Sequence, residues 1–270
     1  MKLGGLLRVL GLNAVPIGGV MLAGWSTATG LTLYWCETLV GTATNALRIA
    51  LHRQWTNKRG HYRGQLGVEI NAGDSPPSRR TARGKTMWRS FLSEYLVGSL
   101  VFTFAHGLFL AIILGAFIQS WPAKADLLYG VAGIALFQVG GLGFDLLSLR
   151  EWPFARLKVQ VQGAMGRVVL VQFAIIFGMA LAIWLEKPGS FFWVFGGLKT
   201  VSDIGGLVAA GSGLGAGVKT GADGATAAPP KWAKSVVAKI APGEDLDVYW
   251  KREREREMRE AAEDEEVVRR

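Results

Sequence analysis

TATGLTLYWCETLVGTATNALRIAL, residues 27–51, decides how this chain is read, because Glu37 and Arg48 are its only charges. A helix of that length rises about 37 Å, enough to cross a hydrocarbon layer of about 30 Å. Comparable blocks recur at Leu3–Trp25, Tyr95–Ile118, Leu127–Leu149, Met165–Leu185 and Phe191–Leu214. A water-soluble core of 270 residues has no need of apolar runs of this length. The expectation is an all-α fold, a polytopic helical membrane bundle of about six transmembrane helices. In the first block, Arg8, Asn13 and Pro16 interrupt the apolar run. A signal peptide is the competing reading there, but no A-x-A-like site follows and the next apolar run starts at once. A retained span or a short re-entrant element is expected.

Charge sets the orientation. The net charge of +9 divides into +10 over residues 1–230 and −1 over residues 231–270. Within the first part, His52–Ser90 holds nine Lys/Arg against Glu69 and Asp74. The 150–164 loop adds Arg150, Arg156 and Lys158, whereas the intervening loops hold only Lys124 and Lys187. Basic loops stay on the cytoplasmic side, so both termini are expected in the cytoplasm of a prokaryotic cell, with the chain in its cytoplasmic membrane. Trp25, Trp88, Trp121, Trp152, Trp184 and Trp193 fall near span ends, where amphipathic rings favour the headgroup layer. The basic 52–90 loop is expected to meet anionic lipid headgroups. Nucleic acid is not expected as a partner, since basic residues between spans report topology. One cysteine leaves no internal disulfide and no metal-ligand spacing.

The organisation expected is a transmembrane domain over residues 1–214, a Gly/Ala/Pro linker over 215–230 and a charged cytoplasmic tail over 231–270. GSGLGAG, residues 211–217, follows no strand and is no nucleotide fingerprint. In the tail, VYWKREREREMREAAEDEEVVRR offers opposite charges at helical spacing but no apolar stripe. It reads as a solvated, salt-bridged helix or a partly disordered segment.

Ionisable residues inside a span are costly and mark the place to look for function. Glu37 lies about 15 Å into its helix and His106 about 16 Å into the third. Lys199 and Asp203 lie about 12 and 18 Å into the last. All four fall in the central layer. Lys199 and Asp203 are four apart and share a helix face. Glu37 needs a cation or donor from another helix, and Lys199 and His106 are the candidates. Asn13, Gln138 and Gln172 add neutral hydrogen-bonding groups to the same inner face. Asp145 and Arg167 lie near the cytoplasmic ends of their helices and form an interfacial ion-pair candidate.

Two readings follow. In the first, the polar set staples helices together. In the alternative, it is the site of a transporter or channel for a small solute, ion or proton. No internal repeat of the kind found in many transporters is evident. Catalysis has no constellation behind it: there is no G-x-S-x-G, H-E-x-x-H or Walker lysine, and His52 and His61 fall in the basic loop. No catalytic residue, metal or cofactor is expected.

GWSTATGLTLYWCE at 24–37, FAHGLF at 104–109, RVVLVQFAIIFG at 167–178 and LKTVSD at 198–203 occur in the order seen in one family. The chain resembles, over about residues 10–205, an uncharacterised group of prokaryotic multi-pass membrane proteins known as a domain of unknown function. The resemblance implies that Tyr34, Trp35 and Glu37 form its Y-W-x-E motif. It also implies that Leu198, Lys199 and Asp203 form its closing L-K-x-x-x-D. A histidine usually follows the R-[IV] element of the fifth span, where Gln172 stands here. The resemblance supplies location and fold, and no reaction.

Overall fold

The computed structural model describes residues 3–63, 90–166, 190–212 and 246–268. Among them every regular element is helical, apart from one isolated antiparallel bridge between Lys58 and Val267. Helix α1 runs Leu3–Leu22 and α2 runs Thr27–Thr56. A short turn joins them, with Gly24 at φ +70, a conformation that a residue without Cβ adopts readily. Ser26 then caps α2, its hydroxyl accepting from the Thr29 amide at 3.1 Å.

Helix α2 ends at Asn57, whose φ of 50 lies in the left-handed region that asparagine tolerates. The reversal leads into a single 3-10 turn, Arg59–Tyr62. Helix α3, Phe91–Ile112, starts with a Ser90/Ser93 capping box and continues as a π turn, Ile113–Ile118. Helix α4 runs Lys124–Leu149. Residues 154–166 form α5, Ser190–Ser212 form α6 and Leu246–Glu265 form α7.

Helix α2 is the hub of the packing. At one end Ala28, Leu31 and Tyr34 bury against Leu110, Ile113 and Leu114 of the third helix and Phe192 and Phe195 of α6. Midway, Leu33 packs with Leu12 of α1 and Ile134 of α4. At the other end Ile49 meets Phe91 and Tyr95 of α3 and Phe154, Leu157 and Val161 of α5. Small residues let these helices approach closely. A Cβ at Gly130 of α4 would stand 2.4 Å from Leu33, and one at Gly107 of α3 would stand 2.9 Å from the Trp35 ring.

Two described helices are long and apolar enough to cross a membrane: Phe91–Ala116, within α3 and its π turn, and α4. The described residues therefore carry the all-helical class but not six such spans. Helix α2 has the length, but its threonines, Glu37, Arg48 and Arg53 make it too polar; α6 carries Lys199 and Asp203. In α1 the apolar part shortens to Val9–Leu22. The fifth expected span, Met165–Leu185, lies outside the described residues beyond Gly166. The stretch before it, expected as a loop, is instead α5. Its Phe154, Leu157 and Val161 recur at helical spacing and supply one buried face.

Candidate functional site

The mid-helix polar cluster centres on Lys199. From α6 its Nζ lies 3.2 and 3.1 Å from the two carboxylate oxygens of Glu37 on α2. It also donates to Asp203 Oδ2 at 2.7 Å, one turn along α6, and to Asn13 Oδ1 on α1 at 3.3 Å. An ammonium has three N–H groups, and here each has an acceptor from a different residue. The Asn13 amide is oriented by this arrangement: its oxygen accepts from Lys199 while its nitrogen donates to Asp203 Oδ2 and to the Val9 carbonyl, both at 3.0 Å. Asn13, Lys199 and Asp203 are all buried, and Glu37 is nearly so. Thr200 donates to the Gly196 carbonyl at 2.8 Å, and its hydroxyl stands 3.2 Å from Asn13 Oδ1.

The Y-W-x-E residues point to different neighbours. Tyr34 packs edge-on against Phe195, its ring 5.2 Å from Lys199 Nζ, and its buried hydroxyl has no hydrogen-bond partner among the described residues. Trp35 turns the other way and donates from Nε1 to the Thr103 carbonyl of α3 at 3.0 Å. Helix α2 thus has a polar tie to α6 through Glu37 and to α3 through Trp35. A third tie comes from Arg48, which pairs with Asp145 of α4 at 2.7 Å and also donates to Asn45. Depth along the helices matches Asp145 with Arg167, but Arg167 lies outside the described residues, and Asp145 takes Arg48 because α2 and α4 are packed neighbours.

The remaining candidates stand apart from Lys199. His106 is buried on α3, and its Nδ1 has no hydrogen-bond partner among the described residues. It is not the partner of Glu37 that its depth suggests, since Glu37 turns to Lys199 instead. Gln138 is half-buried on α4 beside Gly41 of α2, where a Cβ would approach its Nε2 to 3.4 Å. Gln172 lies outside the described residues. Among those residues, no three His, Cys, Asp or Glu side chains gather as metal ligands.

A second polar region lies at the far end of α2, where the sequence suggests only solvated loop and tail. His52 and His61 are both fully buried there, with His52 Nδ1 2.7 Å from His61 Nε2. Trp152, expected at the headgroups, is buried too; its indole donates to Ser148 at 3.0 Å and the Arg156 guanidinium lies 3.9 Å above its ring. The end of the tail docks onto this place. Arg59 N donates to Glu266 O at 2.8 Å and Val268 N to Asn57 O at 3.0 Å. Lys58–Glu265, Arg59–Glu266 and Arg63–Glu263 pair at 2.5, 2.9 and 2.7 Å. The missed signal is the match between basic 58–63 and acidic 263–266, segments far apart in sequence.

Residues 4–229 match a family of unknown function (DUF6498), and the chain belongs to that family. No curated protein and no solved structure matches it.

Proposed function

We propose that this family member is a multi-pass integral protein of the prokaryotic cytoplasmic membrane, of about six spans, in which the Lys199 cluster staples α1, α2 and α6. The observation that carries the reading is one ammonium held by side chains from three helices. Lipid tails are as apolar as leucine, so hydrophobicity alone does little to select helix partners within a bilayer. Buried polar ties do select them, because an unsatisfied group has no water to turn to.

The outward faces support the membrane setting. Phe104 on α3 and Leu128, Leu136, Phe144 and Leu147 on α4 are exposed, Leu147 by 83%. Large apolar side chains exposed along two such helices suit a lipid or protein contact better than a wet surface. On this reading the hydrocarbon-spanning part of α2 is Thr27–Leu51, and His52 onward is cytoplasmic, as are both termini. Lys58, Arg59 and Arg63 pair with the tail, so it is the basic residues of this loop after Arg63 that would meet anionic headgroups. Reporter fusions at Gly73 and Lys124 test the orientation: Gly73 reports cytoplasmic and Lys124 periplasmic, and the reverse pattern overturns it.

Glu37→Gln tests the staple. In detergent it is expected to lose about 1 kcal/mol of stability, with no change in pH- or solute-driven flux in proteoliposomes. Unchanged stability together with loss of a wild-type flux would make the cluster a solute or ion site instead.

A further inference from the structure

We propose that the C-terminal segment is an acid-released clasp: a proton taken up by the buried His52–His61 pair opens the Asn57–Arg63 connector and frees the tail docked on it. The protonation pattern follows from the partners. His52 Nε2 stands 3.1 Å from the Trp152 carbonyl, which can only accept, so this nitrogen carries the hydrogen. Neutral His52 then has a bare Nδ1, and His61 must donate to it from Nε2 across 2.7 Å. That leaves His61 Nδ1 as an acceptor, buried and without a hydrogen-bond partner among the described residues.

An added proton has two places to go. On His61 Nδ1 it creates a cation in a site walled by Phe154, whose ring stands edge-on 4.9 Å away. On His52 Nδ1 it sets two N–H groups against each other at a separation that only one shared hydrogen permits. The charged neighbours oppose either choice more than they help. Arg53 of α2 and Lys58 of the connector are cations near His61, and Lys58 faces His52 as well. Against them stands Glu265 of α7, already bound to Lys58. From α5, Arg156 lies over Trp152; the acid in the first turn of α3 is Glu94. Burial first, then His52 beside it, and after them Arg53 and Lys58, push His61 down to about 3, and burial lowers His52 also.

The connector transmits the change to the tail. Lys58 Nζ bonds both the Trp152 carbonyl, at 3.0 Å, and Glu265. Its neighbours Asn57 and Arg59 make the backbone pairing to Val268 and Glu266. The tail is thus tied to the connector that carries His61, and through Lys58 to the carbonyl that His52 also bonds. The sign follows from the lowered histidines: docking is at full strength above about pH 6.5, the value for a free histidine, and weakens as pH falls below it. Each histidine that is protonated on release lowers the docked-to-released ratio about tenfold between pH 7.5 and 5.5.

The test uses the full chain in lipid nanodiscs, with Cys36→Ala and spin labels on Gln54→Cys and Met258→Cys. The expected result is one narrow distance distribution at pH 7.5, and a released fraction at least about tenfold higher at pH 5.5. The His52→Gln/His61→Gln chain should stay docked at both. An unchanged wild-type distribution at pH 5.5 overturns the clasp, as does the same acid response in the double variant. If the double variant fails to dock at pH 7.5, the wild-type midpoint decides. Release between pH 6.5 and 5 upholds the histidine pair; release only below about 4.5, where tail carboxylates protonate, overturns it.

Discussion

The Lys199 cluster and the tail junction both rest on cation–carboxylate pairs, in opposite surroundings. Lys199 and Glu37 expose 6% and 13% of their side chains, while Arg59 and Glu266 expose 46% and 60%. In the first, removing one partner strands the others where water does not reach. In the second, water and salt take the place of a lost partner, and the docking leans on backbone bonds and on what lies beneath, the two histidines. On the proposals made above, the same chemistry serves as a fixed tie in one place and a releasable one in the other.

Substitutions should separate the two regions by size of effect. Lys199→Met leaves Glu37 and Asp203 without this cation and is expected to cost about 3 kcal/mol or more, read as a loss of stability in detergent unfolding. Arg48→Met should cost less, about 2 kcal/mol, because Asp145 keeps 26% of its side chain exposed and can rehydrate. Trp35→Phe removes one donor from a carbonyl within helix α3 and should cost about 1 kcal/mol. Glu266→Gln should move global stability by less than about 0.5 kcal/mol. Raising salt should weaken tail docking while leaving the Lys199 cluster nearly unaffected, since exposed pairs are screened and buried ones much less. A larger loss from Glu266→Gln than from Lys199→Met would invert the comparison.

The helical class was legible in the long apolar blocks, though only two described helices, Phe91–Ala116 and Lys124–Leu149, are long and apolar enough to cross a membrane, and Glu37 and Lys199 stood out as charges inside such blocks. Asn13 was legible only as a neutral group; its place between Lys199 and Asp203 depends on α1 packing beside α6. Position along a helix did not choose between candidates: of Lys199 and His106 it is Lys199 that meets Glu37, and Asp145 meets Arg48, because level along the helices does not say which of them are neighbours. The buried histidines were hidden by composition. Residues 52–63 look like solvated basic loop, and only the reversal at Asn57 folds His61 back onto His52. The tail looked solvated for a similar reason: a segment without an apolar stripe can still dock when its charges and backbone find a complementary edge.

The central claim, that Lys199 ties α2 to α6 through Glu37, is tested most directly by a double-mutant cycle on stability with Glu37→Gln, Lys199→Met and the pair combined. The staple predicts coupling: the combined variant should lose less than the sum of the single losses, by about 1 kcal/mol or more. Strict additivity, with the two residues acting independently, would contradict it.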